Sequence, residues 1–202
     1  MRKAQKYKMS FSTGGLFLNE SIEIARLHLE GETWDETLRR ARREGATSLP
    51  KAVSNQRTVR EISNRLMTLS NEELEFLIEF ADRADRQALL WLGTCRAYRF
   101  VREFALEVVR ERYLSYQLDL PRESFDLLFE AKAELNEELS AIKASTRAKL
   151  QQVAFRIMRE AGILSAANRI QTAILSPRLK TMIADKNPVE LALFPGVPVD
   201  GV

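Results

Sequence analysis

Cysteine and histidine are nearly absent, with one of each, Cys95 and His28, in 202 residues. A lone cysteine makes no internal disulfide, and one cysteine with one histidine falls short of a zinc site, a pattern that fits a reducing compartment. Cys95 reads as a core filler, and acid–base chemistry shared between histidines is excluded. No GxxxxGK[ST] or GxGxxG run occurs, which removes the usual phosphate-cradling loops. Long apolar runs are missing too. The richest stretch, residues 88–109, is interrupted by Arg96, Arg99, Arg102, Glu103 and Glu107, each costly in lipid. The basic N-terminus (Arg2, Lys3, Lys6, Lys8) is followed by Ser10, Ser12, Thr13, Gly14 and Gly15 and not by the apolar segment of a signal peptide. These absences predict a cytoplasmic protein with no membrane span, no cofactor and no small-molecule substrate.

Apolar residues make up 45% and charged residues 29%, ordinary globular values that exclude global disorder. The net charge of +3 says little by itself, but its distribution is uneven. Residues 39–65 hold eight Arg or Lys against Glu44 and Glu61, and residues 140–186 hold nine against Glu160 and Asp185. Between them, residues 119–138 hold two basic and seven acidic side chains. Two basic blocks around an acidic one suggest two electrostatic footprints for a polyanion.

Helix signals dominate the chain. A helix is expected over 16–30, stopped by Gly31. Thr33 with Glu36, and Ser70 with Glu73, have the spacing of capping boxes that open helices through Arg43 and to about Ala81, with another helix at 54–69 between them. From Asp85 to Gln117 the only breaker is Gly93, so one long helix or two abutting ones should form a spine, its large side chains (Trp91, Tyr98, Phe100, Phe104, Val108) buried. Pro121 opens a helix to about Leu135, and a short one reaches Ala144. Ser145 or Thr146 caps a helix to Glu160 with Gly162 just past its end. Residues 163–165 and 169–175 give the only strand signal and predict a β-hairpin. A last short helix starts at Ser176–Pro177, and an irregular tail follows Lys186. The expected fold is mainly α: a helix-turn-helix-like N-terminal lobe (1–81), a helical spine (82–118) and a winged-helix-like C-terminal lobe with one β-hairpin (119–202).

The helix at 145–160 is the most informative segment. At 100° per residue, Leu150, Val153, Ala154, Ile157, Met158 and Ala161 share one side, while Ser145, Lys149, Gln152, Arg156 and Arg159 share the other. Arg and Lys can donate to guanine edges and phosphates and Gln can pair with adenine, so such a face suits the major groove, with the hairpin as a wing carrying Arg169. The helix at 54–69 repeats the pattern, with Val59, Ile62, Leu66 and Leu69 inward and Gln56, Arg57, Arg60 and Asn64 outward. Arg39, Arg40, Arg42 and Arg43 lie just upstream, suited to phosphates. The candidate DNA contacts are therefore Arg42, Arg43, Arg57 and Arg60 in one set and Lys149, Gln152, Arg156, Arg159 and Arg169 in the other. Arg96, Arg99 and Arg102 are expected to be structural, paired with the acidic stretch 123–138. Carboxylates at Glu72, Glu73 and Glu75 and at Glu137 and Glu138 leave a nuclease as a minor alternative. Capping and solvation explain them without a metal.

The blocks KYKMSFSTGGLFLNESIEIARLHLEG from Lys6, LLWLGTCRAYRFVREFALEV from Leu89, LPRESFDLLFEAKAELNEEL from Leu120 and STRAKLQQVAFRIMREAGIL from Ser145, running to LSPRLKTMI, resemble the BrxA family, a small component of bacteriophage-exclusion (BREX) defence systems. The resemblance covers residues 6 to about 195. It implies a cytoplasmic helical protein with helix-turn-helix-like elements that binds double-stranded DNA beside other BREX proteins, and it implies no catalytic residue. It also implies comparison with RNA-binding antitermination proteins and a membrane label, which the charges in the spine oppose. The expected function is non-catalytic duplex binding in phage defence; the alternatives are an RNA-binding antitermination-like factor and an assembly adaptor for the BREX methyltransferase complex.

Overall fold

The structure is a computed structural model that describes residues 7–12, 14–29, 31–44 and 52–199, with the side chains at 41, 42, 44 and 52–55 outside that description. The capping boxes form as their spacing predicts. Glu36 N donates to the Thr33 hydroxyl while Glu36 Oε2 accepts from Thr33 N, and Ser70 and Glu73 do the same two helices later. They open α2 (Trp34–Glu44) and α4 (Asn71–Glu75), which flank α3 (Ala52–Leu66) and follow α1 (Leu18–Leu27). Gly45, a glycine stop signal for α2, and Pro50 in the connection after it lie outside the described residues. Helix α4 passes into a π-helical turn, Phe76–Phe80, where the guanidinium of Arg178 lies over both end rings at 5.1 and 4.3 Å.

The spine is two abutting helices, α5 (Arg83–Ala97) and α6 (Arg99–Phe104), the second continuing through a π-helical segment, Ala105–Arg110, into α7 (Glu111–Leu114). Neither proline nor glycine breaks it. The break is at Tyr98, which is extended (φ −125, ψ 100) and fully buried, with its hydroxyl donating to Glu61 Oε2 at 2.5 Å. Trp91, Phe100 and Phe104 are buried as expected, whereas Val108 is only half-buried. Helices α8 (Glu123–Ala133), α9 (Glu137–Ser140), α10 (Ala144–Glu160) and α11 (Pro177–Lys186) follow. One apolar cluster runs through all these elements from Tyr7 to Phe194, and rings of Phe100, Phe104, Phe125, Phe129 and Phe155 meet where spine, α8 and α10 converge. No helix among the described residues is long and apolar enough to cross a membrane.

Two expectations need correction. The β-hairpin does not form as strands: among the described residues the pairing is confined to single bridges, Leu164 with Ile170 and Asp119 with Arg169. The first arm has three residues because the chain has just left a glycine turn at Gly162 (φ +74). The second arm is drawn elsewhere, with Ala173 N donating to the Pro195 carbonyl and Ser176 N to Asp85 Oδ1. The tail is also ordered beyond Lys186. A 3₁₀ helix, Pro188–Leu193, buries Leu191, Leu193 and Phe194, and the Leu193 carbonyl accepts from Trp91 Nε1 at 3.0 Å.

Arg96 joins three regions of the chain. Its guanidinium donates to both Glu73 oxygens (2.8 and 2.9 Å), to Glu190 (2.7 Å) and to the Thr68 carbonyl (3.1 Å). Burial alone would lower its pKa, but the two carboxylates hold it above its ordinary value. Burial would raise Glu73, yet Arg96, the Ser70 amide and Lys186 together hold it below 4.5. Removing one member of a buried pair strands the others, so Arg96→Met should lower the unfolding free energy by roughly 3–5 kcal/mol in urea titration; a loss under about 1 kcal/mol would contradict this assignment. A group with a depressed folded pKa stabilises above its unfolded value, and that stability disappears as pH falls through the folded value. Native Tm should therefore drop as pH is lowered from 4.5, and by less in Glu73→Gln.

Candidate nucleic-acid interface

Helix α10 is held by its inner face. Leu150, Val153, Ala154, Phe155, Ile157 and Met158 are all buried, the predicted stripe widened by Phe155, whose ring lies 6.3 Å from Phe104. The helix begins one residue before the expected cap, with Lys143 at the cap and no side-chain bond there. Its end is closed as the sequence predicts: Gly162 N donates to the Arg159 carbonyl and Ile163 N to that of Met158, a Schellman turn that needs the left-handed residue glycine supplies.

The outer face is turned to solvent. Lys149, Gln152 and Arg156 are exposed, with Lys149 Nζ donating to Gln152 Oε1 at 3.2 Å. Arg156 pairs with Glu160 one turn on at 2.7 Å and keeps 59% of its side chain accessible. Arg159 is half-buried and reaches from the helix to the bridged turn, donating to Asn168 Oδ1 at 2.7 Å. Arg169 on that turn is exposed and stands 3.5 Å from Asp119. Exposed pairs of this kind contribute about 0–1 kcal/mol and exchange readily for another anion.

Two carboxylates of the acidic middle are committed elsewhere, whereas Asp119 belongs to the Arg169 pair. Asp126 and Glu130 on α8 bind Arg147, at 2.6 and 3.0 Å, and Asp126 also accepts from Gln151. Sequence reasoning assigned Arg147 no partner, although its place one turn before Gln151 on α10 puts both on the side that meets α8. Two of the spine arginines take a structural role, Arg96 with partners outside the expected stretch. Arg96 binds Glu73 and Glu190, Arg99 binds Glu103, and Lys132 of the acidic stretch reaches back to Glu103 and Glu107. Arg102 lies half-buried with Arg96 and Arg99 around a small depression.

In the N-terminal region Val59, Ile62, Leu66 and Leu69 are buried, and Gln56, Arg57 and Arg60 are exposed. Arg43 is exposed on α2 and lines a shallow depression with Arg39 and Arg40, the latter paired with Glu32. The Arg42 side chain lies outside the described residues. The structure thus separates Arg43 from Arg57 and Arg60 by element, while Thr58 between those two lines the same cleft as Arg156 and Arg159. That cleft, of about 670 Å³, runs between residues 14–20 and the C-terminal half of α10 and also contains Arg83, Gln87 and Glu160. Sequence reading missed it, because its walls are 144 residues apart where Glu160 accepts from Leu16 N at 2.6 Å. It also missed Arg65, buried behind the cleft with Nη1 donating to the Gly15 carbonyl at 2.8 Å.

The architecture is that of a mainly helical protein with a solvent-facing basic helix and, among the described residues, no cluster of three or more potential metal ligands. The chain matches the BrxA family over residues 5–187 and belongs to it. It is similar to BREX protein BrxA of Paramagnetospirillum magneticum, at 25% identity over 184 residues covering 90% of this chain and 92% of that one. Its fold is similar to the crystal structure of an uncharacterized protein from Magnetospirillum magneticum, with a TM-score of 0.76, 23% identity and coverage of 96% of this chain and 100% of that one. Family membership supports a role in BREX phage defence.

Lys149→Ala, Gln152→Ala and Arg169→Ala remove exposed side chains with surface partners only. Each should shift the unfolding free energy by no more than about 0.5 kcal/mol in urea titration. A loss of about 2 kcal/mol in any of them would mean that this face serves the fold.

Proposed function

We propose that the chain is a non-catalytic, double-stranded DNA-binding component of a BREX phage-defence system, acting in the cytoplasm beside other BREX proteins. The observation that carries this reading is the open face of α10: Lys149, Gln152 and Arg156 project to solvent while Asp126 and Glu130 of α8 are occupied by Arg147. An α-helix with such a face fits the major groove, where arginine and lysine meet guanine edges and phosphates and glutamine meets adenine. Arg159 and Arg169 sit where the helix joins the bridged turn, so the turn acts as a short wing against the flanking backbone. The bridge from Asp119 supports that comparison, since it brings the segment ahead of α8 alongside the turn after α10. Arg43, Arg57 and Arg60, with Arg42, form the second, helix-turn-helix-like contact set. The reading includes no catalytic step and no small-molecule substrate.

Arg156→Glu puts a repelling charge at the groove and should weaken duplex binding at least tenfold in a mobility-shift assay while the variant keeps the native circular dichroism spectrum. Unchanged affinity in the folded variant would reject the face. Competition at one salt concentration separates the alternatives: single-stranded RNA displacing duplex DNA points to the antitermination-like role, and absence of salt-dependent binding to either points to an adaptor.

A further inference from the structure

The cleft between residues 14–20 and α10 has features that the groove-reading face does not use. Arg83 sits in the first turn of α5, where the helix dipole disfavours a cation, and it is exposed with no hydrogen bond or ion pair among the described residues. Opposite it, α1 begins without a side-chain cap: Phe17 at the cap is left-handed (φ 59), and the amides of Leu18, Asn19 and Glu20 have no acceptor among the described residues. All three line the cleft, where unsatisfied amides at a helix start attract an anion. Arg156 and Arg159 complete a set of three guanidinium groups from two helices.

A further cation lies behind the wall. Arg65 is 1% exposed, its Nε and Nη2 have no hydrogen-bond partner, and its Nη1 holds the Gly15 carbonyl. Two carboxylates also line the cleft. Glu160 is occupied, accepting from Leu16 N and Arg156 Nε, and Glu20 stands in the first turn of α1. A Cβ on Gly15 would come within 2.1 Å of Glu160 Oε2, so glycine is what lets that carboxylate close one end of the cleft. One unpaired guanidinium, Arg83, and two more whose partners are a surface carboxylate and an amide oxygen share with open helix amides a space much larger than one water, a set of donors that matches the charge of a phosphate group.

We propose that this cleft is a phosphate-binding site, in which Arg83, Arg159 and the first amides of α1 receive the phosphate oxygens. The bound group ties the N-terminal segment to α10. It comes either from a free phosphate or phosphomonoester or from a nucleic-acid backbone. The chemistry is the same, and only the second source rests on the duplex-binding reading.

Two measurements on the full chain distinguish the sources. Inorganic phosphate, titrated against sodium chloride at matched ionic strength, should raise the Tm of the wild type saturably by several degrees, and Arg83→Ala should abolish the rise, which assigns the site to free phosphate. If phosphate has no effect but Arg83→Ala reduces the slope of log K against log salt for duplex binding by about 1, the site takes a backbone phosphate. Arg83 has no contact to lose, so the variant should melt as the wild type does in chloride. No saturable phosphate effect together with an unchanged duplex slope overturns the proposal. Phosphate binding by a wild type that ignores duplex DNA would sink the duplex reading and leave this site intact.

Discussion

The fold is organised around one half-buried cation. Arg96 lies between Glu73, which closes the capping box of α4, and Glu190 of the C-terminal 3₁₀ helix, residues 23 and 94 positions away. Both carboxylates are buried, and without Arg96 each would lose its guanidinium partner. Through this contact the spine fixes α4 on one side and the C-terminal helical turn on the other, and the carbonyl of Leu193 then meets Trp91. The wall of aromatic rings against which α10 packs is built on the continuation of the same spine. The orientation of the basic face follows from that packing.

Charge is sorted in a consistent way. Asp126 and Glu130 of the acidic middle are paired with Arg147 on the lateral side of α10, and Arg96 of the spine is held by Glu73 and Glu190. On the outer face of α10 and its turn, Lys149, Arg156 and Arg169 are exposed, and the pairs Arg156–Glu160 and Arg169–Asp119 are surface pairs too exposed to hold them against a polyanion. Tyr98 belongs to the same pattern. Burial and the neighbouring Glu61 push its hydroxyl up to about 12, so it stays a neutral donor while it interrupts the spine.

Much of this was legible in the sequence where the physics is local. Both capping boxes, the glycine turn after α10, the helical spine and the buried stripes of α3 and α10 follow from spacing alone, while the break of the spine at Tyr98 does not. The candidate site was legible as a face, since Lys149, Gln152 and Arg156 are exposed as periodicity requires. Non-local pairing was not legible. The strand-rich composition of 169–175 was overridden by bonds to Pro195 and Asp85, which no local pattern announces. Arg65 reads as part of a basic surface block and is buried, because its partner, the Gly15 carbonyl, lies 50 residues away. Arg96 was correctly read as structural, but its partners Glu73 and Glu190 lie outside the expected stretch for the same reason.

The central claim is that the outward cations of this chain engage the phosphates of a DNA duplex. The most direct measurement is the affinity of the wild-type protein for one duplex across a range of salt concentrations. Each neutralised phosphate contributes about −0.9 to the slope of log K against log salt. Contacts from Lys149, Arg156, Arg159 and Arg169 predict a slope of about −3.5 or steeper. A slope near zero, or no binding at low salt, would contradict the account.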